Sequence, residues 1–495
     1  MRKGFDNDKY IALQSERIRE RIAKFGGKLY LEFGGKLFDD YHASRVLPGF
    51  EPDSKLRMLQ NLSNDAEIIF AICAADIEKN KIRADLGIPY DEEVLRLIDV
   101  FQSLGFYVGS VVLTQYTGQP AADAFRRKLA QIHIRSYLHY PIAGYPSDVA
   151  HIVSDEGYGK NDYIETVKPL VVVTAPGPGS GKMATCLSQL YHEYKRGVKA
   201  GYAKFETFPV WNLPLKHPVN IAYEAATADL DDVNMIDPFH LEAHGETTVN
   251  YNRDIAIFPV LKAMLEHIQG ESPYASPTDM GVNMAGFCIY DDDAVREAAK
   301  AEILRRYYRT AVTERRADVE ERQTAKIELL MKQAGVTTAA LPVVAASLAR
   351  AEEIGGAAGA MELPDGRIVT GKTSLLLGAS ASLLLNALKR LADIPQEEDI
   401  ISPEALKPIC ELKIKYLHHH NPRLHSDEVL IALSTSSLRN DAAKKALAQL
   451  TKLRGCDAHF SVALSAVDEK LYKTLGIQVT SEPKFEKKKL TIPVR

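Results

Sequence analysis

The sequence predicts an α/β protein of several domains, whose N-terminal part is a mostly parallel, doubly wound sheet. Strand-like and helix-like segments alternate up to about residue 215. Some of the strand-like segments are apolar throughout, which is typical of strands that are covered on both faces. The 495 residues also exceed the size of one hydrophobic core, so more than one domain is expected.

The elements of the first domain follow from the spacing of apolar residues. The segments predicted as strands are "KLYLEF" (28–33), "AEIIFAICAA" (66–75), "YVGSVVLTQY" (107–116) and "PLVVVTA" (169–175). The segments predicted as helices are "DEEVLRLIDVFQSLG" (91–105), "AADAFRRKLAQIH" (121–133) and "MATCLSQLYHEYKRG" (183–197). In parallel sheets of this type, ligands bind beyond the carboxyl ends of the strands.

The pattern changes in the middle of the chain. Residues 205–290 show little clean period, which is typical either of a functional loop region or of a connection packed against the core. Residues 291–335 are dense in Ala, Glu, Arg and Lys. They predict one or two long helices that pack on a neighbouring domain or on a second subunit, so a homo-oligomer is expected.

The C-terminal region predicts a smaller α/β domain. A hairpin is expected around Asp365-Gly366 in "AMELPDGRIVTGK". Helices are predicted at "SASLLLNALKRLADI" and "PEALKPICELKIKYLHHH", and strands at "DEVLIALSTSS" and "AHFSVALS". The predicted domains are an α/β domain with a P-loop-like turn (1–228), irregular loops with long helices (229–338), and the C-terminal α/β domain (339–495).

Composition and charge argue against several classes of partner. The formal net charge of −4 gives no broad attraction to nucleic acid or to an anionic membrane. The sequence has no run of about 18 apolar residues, and its N-terminus lacks the apolar segment of a secretory signal. The five cysteines form no CxxC pair, which suits a reducing compartment. We therefore expect a cytoplasmic protein without nucleic-acid or membrane partners.

The main candidate site is the stretch "LVVVTAPGPGSGKMATC" (170–186). A glycine-rich turn between a strand and a helix can bind phosphate through backbone N–H groups and the positive end of the helix. Gly181 and Lys182 match the motif G-x-x-x-x-G-K-[ST]. Pro176 replaces the first glycine of the motif, and Met183 replaces the hydroxyl residue that would hold Mg²⁺.

The stretch is therefore similar to P-loop kinases only locally, over residues 169–197. The residues predicted to bind a phosphate or another anion are Gly177, Gly179, Ser180, Gly181 and Lys182. A nucleotide is one candidate cofactor, although the sequence supplies no clear ligand for Mg²⁺. The alternative is a structural turn that needs glycine only for its backbone angles.

One stretch matches the phosphate-loop motif at every position, but it lies elsewhere, at "GRIVTGKT" (366–373). Its β-branched residues favour an extended strand, and Gly366 belongs to the predicted hairpin turn. We therefore do not expect a nucleotide loop there. Lys372 and Thr373 stay candidates for a ligand contact, or for a loop with capping hydroxyl groups.

The stretch "FHLEAHGET" is a candidate metal site. It places His240, Glu242 and His244 at alternating positions, and in a helix the two histidines would share one face, as metal ligands do. The alternative is a polar surface or a hydrogen-bonded substrate loop.

Other polar side chains are candidate substrate contacts. Amide, hydroxyl and charged groups bind sugars, phosphates or carboxylates through fixed hydrogen bonds, but they also form Asx-turns. These candidates are Arg45, Asn252, Arg253, Asp279 and Asn283, with Lys36 as a further possible anion contact.

Taken together, several stretches resemble a bacterial family of proteins of about this length, catalogued as a domain of unknown function. The stretches that carry the resemblance are "EFGGKLFDDYHASRVLPGF", "APGPGSGKMATCLSQLYHE", "VNYNRDIAIFPVL", "SPYASPTDMGVNMAG" and "DGRIVTGKTSLLLGASAS". The resemblance implies a multidomain α/β protein with a helical insert, and it supplies no activity, substrate or catalytic residue.

Two functions remain open from the sequence. The first is an enzyme that acts on a phosphorylated or otherwise anionic small molecule held by the 176–182 loop. The second is a non-catalytic ligand-binding or oligomeric scaffold protein in which this loop is only a turn. The sequence identifies neither a reaction type nor a catalytic residue.

Overall fold

The structure, a computed structural model, describes residues 2–34, 37–38, 40–83 and 87–485. The chain divides into two compact units, the first with residues 1–224 and 231–298 and the second with residues 225–230 and 299–495. The three-domain division proposed from the sequence stays a prediction, and Lys36 lies outside the described residues. Within the described ranges, no helix combines the length and the apolar character needed to cross a membrane.

The first unit is built on a seven-stranded sheet in which all strand pairs of the described chain are parallel. Two short antiparallel pairs, β3–β4 and β9–β10, lie outside this sheet. The strands are β1 Leu29–Phe33, β2 Ala66–Cys73, β3 Ile82–Arg83, β4 Ile88–Pro89, β5 Tyr107–Thr114, β6 Arg135–Leu138, β7 Leu170–Thr174, β8 Gly201–Phe205, β9 Asn234–Ile236, β10 Val249–Tyr251 and β11 Gly281–Val282. The predicted α/β fold with a parallel sheet is confirmed.

The central strands are apolar because both of their faces are covered. Every residue of β1, β2 and β7 is buried, and β7 pairs with β1 on one side and with β2 on the other. A strand buried on both faces has no need of the alternation that a half-exposed strand shows. This explains why "LVVVT" is apolar up to its last residue and why "AEIIFAIC" is apolar except for the buried Glu67.

The helices of the first unit include the three that the sequence predicts there. They are α1 Asn7–Lys24, α2 Tyr41–Val46, α3 Ser54–Gln60, α4 Ala74–Glu78, α5 Tyr90–Ser103, α6 Pro120–Gln131, α7 Val149–Ile152, α8 Lys182–Lys195, α9 Pro218–Ala226, α10 Pro238–His244, α11 Asn252–Gln269 and α12 Pro277–Met280. The last four lie in the stretch that the sequence shows as irregular. In α11, Phe258, Leu261 and Leu265 are buried at helical spacing, but the exposed Pro259 lies among them, and a proline within a pattern argues against a helix.

The order of the sheet places a crevice at the carboxyl ends of β1 and β7. The order is β11-β8-β1-β7-β2-β5-β6. The chain leaves β1 toward β2 on one side, whereas it leaves β7 toward β8 on the other. Because parallel crossovers are right-handed, these two connections pass over opposite faces of the sheet. Ligands of open parallel sheets bind at such a reversal, outside the carboxyl ends of the strands.

The second unit carries a smaller mixed sheet of order β13-β12-β14-β15, in which only the described pair β14–β15 is parallel. Its strands are β12 Ala358–Glu362, β13 Ile368–Lys372, β14 Asp457–Phe460 and β15 Gln478–Ser481. The helices from residue 292 onward are α13 Asp292–Ala317, which begins in the first unit, α14 Arg322–Ala334, α15 Pro342–Ile354, α16 Ala379–Leu391, α17 Pro403–Lys415, α18 Ser426–Ser436, α19 Asp441–Leu447 and α20 Ala466–Thr474. This agrees with the predicted C-terminal α/β domain.

One strand prediction in the second unit is wrong. The stretch "DEVLIALSTSS" forms the helix α18, because His425 and Glu428 form a capping box at its start. Val429, Ala432 and Leu433 are buried at helical spacing, whereas Ile431 is exposed. By contrast, "GRIVTGKT" does lie in the predicted β12–β13 hairpin, so the exact motif match forms no phosphate-binding loop.

Candidate functional site

Residues 175–181, here called the glycine loop, connect β7 to α8 at the crevice. Gly179 and Gly181 have φ angles of 76° and 85°, in the left-handed region that favours glycine. The Ser180 hydroxyl donates a hydrogen bond of 2.7 Å to the Gly177 carbonyl. From the end of β5, the Thr114 hydroxyl donates one of 2.8 Å to the Ser180 carbonyl. The loop is therefore held in place by its own side chain and by a neighbouring strand.

Close neighbours also restrict two positions of the glycine loop to glycine. A Cβ atom on Gly177 would lie 2.2 Å from the hydroxyl oxygen of Tyr90. One on Gly181 would lie 3.0 Å from the side chain of Thr114. Tyr90 and Thr114 therefore form part of the wall around the loop, and a ligand held there would meet the Tyr90 hydroxyl.

Lys182 is the first residue of α8 and is half-buried. Among the described residues, its ammonium group has neither a hydrogen-bond partner nor an ion-pair partner. The first turn of α8 also has no side-chain cap within the described chain. Backbone N–H groups at a helix N-terminus lack intrahelical acceptors and carry partial positive charge. Together with the lysine they form a favourable place for an anion.

Four charged residues, here called the charge cluster, lie near the carboxyl ends of β1 and β8. Glu32 and Lys204 are register partners in these neighbouring strands. The Lys204 ammonium contacts the carboxylate of Asp254 from α11 and lies 2.9 Å from Oε1 of Glu206. The Tyr202 hydroxyl donates a hydrogen bond of 2.7 Å to Oε2 of Glu32. Three carboxyl groups thus surround one lysine.

The cluster shifts the pKa values of two of its members. Burial raises the pKa of Glu206 to about 7, against the opposing effect of Lys204 and with the help of Asp254. Burial lowers the pKa of Lys204, but the carboxylates of Asp254 and Glu206 outweigh that effect and leave it raised. Lys204 therefore stays charged, whereas Glu206 exchanges its proton near neutral pH. A buried carboxyl group with such a pKa suits general acid–base chemistry.

The thiol of Cys186 is affected both by the charge of Lys182 and by that of Glu32, one member of the charge cluster. This thiol lies one turn beyond Lys182 in α8 and is fully buried. Burial raises the pKa of this thiol, the charge of Glu32 raises it further, and the charge of Lys182 lowers it. Lys182 and Glu32 therefore both lie within electrostatic range of Cys186. The helix N-terminus can hold an anion, and the Glu32 side of the charge cluster lies within electrostatic range of the same helix.

The sequence pointed to the glycine loop but missed the charge cluster. Its signal lies in "YAKFETF", where Lys204 and Glu206 stand two positions apart within an otherwise apolar and aromatic run. Charges at such spacing in a strand share one face and need partners when they are buried. The partner Asp254 lies far along the chain, in a stretch that has no clear period.

Two predicted substrate contacts hold the fold together. The Asn252 side-chain amide donates to the Asp231 carbonyl at 3.3 Å, and its oxygen accepts from the N–H of Val233 at 3.1 Å. Asn283 is buried and donates to the Pro209 carbonyl at 2.9 Å. These groups position local backbone, and a role in ligand binding stays a prediction.

The other predicted contacts lie apart from the glycine loop in the chain. Arg253 forms an ion pair of 2.5 Å with the buried Asp232. Arg45 lies in the last turn of α2 and is half-buried. Lys372 and Thr373, at the end of β13, belong to the second unit, and Lys372 is exposed. A ligand role for each of these residues also stays a prediction.

The structure brings the two predicted metal-site histidines together with Asp279. The rings of His240 and His244 have centroids 4.5 Å apart on one face of α10. Oδ2 of Asp279 lies 3.0 Å from Nε2 of His244, and the hydrogen bond to Asp279 raises the pKa of that histidine. Glu242, the third predicted ligand, is exposed and does not belong to this group, in which Asp279 is the third residue instead.

Known proteins match this chain over nearly its whole length. Residues 3–335 match the family described as "Domain of unknown function DUF1846, N-terminal", and residues 339–491 match its C-terminal counterpart. The UPF0371 protein stu1377 of Streptococcus thermophilus is 59% identical over 489 residues, which are 99% of each chain. A UPF0371 protein of Streptococcus pneumoniae is 59% identical over 485 residues, which are 98% of each chain.

These matches confirm the bacterial family that the sequence resembles. They lend no support to the local similarity with P-loop kinases at residues 169–197, which stays a prediction. The chain therefore belongs to the DUF1846 family, also called UPF0371.

Proposed function

We propose that this protein is a cytoplasmic enzyme that binds a phosphorylated or otherwise anionic small molecule on the glycine loop and Lys182. A nucleotide is one candidate for that molecule. In this proposal Glu206 is the group that takes up and releases a proton during the reaction. Lys204 and Asp254 position Glu206 and keep its pKa close to neutral.

The observation that carries the proposal is the state of Lys182. A half-buried ammonium group is costly unless a partner offsets its desolvation, and Lys182 has none among the described residues. It stands at an uncapped helix N-terminus, where an anion gains both from the lysine and from the backbone N–H groups. A bound anion supplies the missing partner.

The position of the loop in the sheet adds a second line of support. The glycine loop follows β7 at the place where the strand order reverses, which is the usual ligand crevice of open parallel sheets. Glu206 follows β8, the strand next to β1, and its raised pKa supports a role in proton exchange. If the glycine loop were only a structural turn, the protein would have no need of a proton-exchanging carboxyl group such as that of Glu206.

A thermal-shift screen tests the proposal. The full chain is heated with nucleotides and phosphorylated metabolites, each with and without Mg²⁺, beside the variants Lys182→Met and Lys195→Met. Lys195 lies in the last turn of the same helix and serves as the matched control. A ligand present at 100 times its Kd stabilises the folded state by about 2.7 kcal/mol.

We expect at least one phosphorylated ligand to raise the melting temperature of the wild type and of Lys195→Met, but much less that of Lys182→Met. If every stabilising ligand acts equally on both variants, the loop is structural. A shift by ATP that needs Mg²⁺ would identify a nucleotide site despite Met183. A bound ligand that is never turned over would favour a binding or scaffold protein over an enzyme.

A further inference from the structure

We propose that His240, His244 and Asp279 form a binding site for one divalent transition-metal ion of the zinc class. Each of the three residues offers one ligand atom, and these atoms all lie within 4.8 Å of one another. The histidines stand at positions i and i+4 of α10, so both rings project from one face of the helix. The carboxylate comes from α12, a separate element.

A buried carboxylate joins the two elements that carry the ligands. Asp237 precedes α10, and its Oδ1 accepts hydrogen bonds of 3.1 Å from the N–H groups of Phe239 and His240. Its Oδ2 accepts from the hydroxyl group of Thr278 at 2.6 Å and from the Thr278 N–H at 3.2 Å. Asp237 is fully buried, so it fixes the start of α10 against α12. The ligands are held in place before any ion binds.

Hydrogen bonds around the site leave one nitrogen of His240 available. Nδ1 of His240 lies 2.8 Å from the hydroxyl of the buried Ser276. Nδ1 also lies 3.6 Å from Oδ1 of Asp279, and Nε2 lies 3.9 Å from Oε2 of Glu246, so each ring nitrogen faces a carboxylate of the site. Metal-binding histidines usually bind the ion through one nitrogen and form a hydrogen bond through the other. The Asp279 carboxylate is also oriented, because its Oδ2 accepts from the N–H of Ala275 at 3.1 Å.

A fourth ligand is within reach of the same place. Oε2 of Glu246 lies 3.9 Å from Nε2 of His240, and the Glu246 side chain is 76% exposed. An exposed side chain reorients at little cost, so either Glu246 or a water molecule can complete the coordination. Imidazole nitrogens with carboxylate oxygens favour Zn²⁺, Co²⁺ or similar ions over Mg²⁺ and Ca²⁺, which prefer oxygen ligands alone.

The competing interpretation is an ordinary ion pair between His244 and Asp279. Such a pair explains neither the third residue, His240, nor the locking of α10 to α12 by Asp237. An ion pair that is open to solvent contributes little to stability, so it needs no framework of buried hydrogen bonds. The two interpretations differ in whether the group takes up a metal.

Cobalt binding to the full chain tests this proposal, and the probe is Co²⁺ alone. The untagged protein is stripped with a chelator, dialysed, and titrated with Co²⁺ while visible d–d absorption and bound metal are measured. The main variants are His244→Ala and Asp279→Asn, because both side chains are partly exposed and their loss spares the core. Circular dichroism checks that each variant folds.

Two controls separate this site from other sources of metal binding. Glu242→Gln changes an exposed acid on the same helix that lies outside the group. A variant with His418, His419 and His420 all replaced by Ala removes an exposed histidine tract in the second unit. Both controls are expected to bind Co²⁺ as the wild type does.

We expect one equivalent of Co²⁺ with ligand-field bands of low coordination number. His244→Ala and Asp279→Asn should weaken binding at least about tenfold, since even the outer-shell partners of a metal site contribute that much. Absence of binding to the wild type, wild-type affinity in both main variants, or loss of binding only when the histidine tract is replaced would each overturn the site. Anion binding at Lys182 is measured separately, so failure here leaves the proposed function intact.

Discussion

Glu206 lies where burial and a neighbouring lysine act on its carboxyl group in opposite directions. Burial is the larger effect and raises its pKa to about 7, although Lys204 lies only 2.9 Å away. Asp254 adds to the rise, because two nearby carboxylates disfavour double ionisation. The residue is therefore built to change its charge near neutral pH, at some cost to stability.

That cost is measurable as a pH dependence of unfolding. The pKa of Glu206 is about 7 in the folded protein, whereas the ordinary pKa of a glutamate is 4.5. Between these values the unfolded chain is ionised and the folded chain is protonated, so stability falls as the pH rises toward 7. Glu206→Gln lacks this loss. At ~1.4 kcal/mol per pKa unit, the variant should gain on the order of 3 kcal/mol relative to wild type between pH 4.5 and pH 8.

Guanidinium unfolding of both proteins at pH 5 and pH 8 measures this difference. Loss of the contact with Lys204 changes the free energy of unfolding of Glu206→Gln by the same amount at both pH values. Only the part of the difference from wild type that varies with pH therefore reports the pKa of Glu206. A difference that is the same at both pH values would contradict the raised pKa of Glu206.

The raised pKa of Glu206 is an example of a residue property that could not be predicted from the sequence. Its neighbours in the chain are visible in "YAKFETF", but its pKa depends on Asp254, which is brought from α11 by tertiary packing. The position of Lys182 at the start of a helix was predictable because a strand, a turn and that helix follow one another in the chain. The charge cluster has no such local signature.

At the scale of elements, α8 has a left-handed glycine at each end. Gly181 precedes the helix with φ of 85°, and Gly197 follows it with φ of 74°. The two differ in surroundings, because a Cβ atom on Gly181 would press on Thr114 whereas one on Gly197 would meet no atom within 4 Å. They form a matched pair for testing the fit of the glycine loop.

Gly197→Ala should lower stability by about 1 kcal/mol, from backbone strain alone. Gly181→Ala should lower it by about 1 kcal/mol more, since Thr114 or the loop must move. It should also weaken anion binding, which Gly197→Ala leaves unchanged. Urea unfolding and ligand titration of both variants measure these effects, and equal behaviour of the two would show that the loop tolerates displacement.

A buried arginine connects α13 to the sheet of the second unit. Arg305 is 2% exposed, and its guanidinium forms two hydrogen bonds, of 2.7 and 2.8 Å, with the carboxylate of Asp457 on β14. Glu302 adds a third contact at 3.1 Å. The planar guanidinium group and a carboxylate can form two parallel hydrogen bonds in this geometry. Removal of one buried charge destabilises the protein because it leaves the opposite charge without a partner.

Asp457→Asn should therefore destabilise the second unit by about 3 kcal/mol, because it leaves the arginine with a single buried carboxylate. The exposed pair of Arg350 and Glu353 provides the control, and Glu353→Gln should cost well under 1 kcal/mol. Denaturant unfolding of Asp457→Asn and Glu353→Gln measures both changes in the free energy of unfolding. If the change for Asp457→Asn is as small as that for Glu353→Gln, water reaches Arg305.

The type of an element, helix or strand, was predictable where apolar residues fill nearly the whole segment, and it was not predictable where the apolar pattern fits both. The strands β2 and β7 are buried along their whole length, so their residue types decide their structure. In α18 the β-branched and apolar residues favour a strand, but the capping box at His425 and Glu428 and the burial of one face decide for a helix. Tertiary contacts, absent from the sequence, settle such cases.

At the scale of the whole molecule, each unit has its own sheet. One hydrophobic core of the second unit consists of buried residues that all fall between Ala357 and Val479. All of these residues belong to the second unit. The parallel sheet was predictable from the alternation of strands and helices, whereas its order, and therefore the crevice between β1 and β7, was not.

The core of the second unit leads to a prediction about a fragment. Residues 339–485 include β12–β15 and α15–α20, and they should fold alone. We expect a cooperative thermal transition and dispersed amide resonances. The fragment lacks Arg305, so Asp457→Asn should cost it little, unlike the full chain. A fragment without cooperative unfolding would show that its core depends on the preceding helices.

Anion binding by the glycine loop and Lys182 is the property on which the proposed function depends. Calorimetric titration of pyrophosphate into the full chain tests this most directly, with Lys182→Met and Lys195→Met measured beside the wild type. We predict one site per chain, binding at least about tenfold weaker in Lys182→Met, which corresponds to ~1.4 kcal/mol, and unchanged affinity in Lys195→Met. Equal affinity in both variants, or no binding to the wild type, would contradict the account.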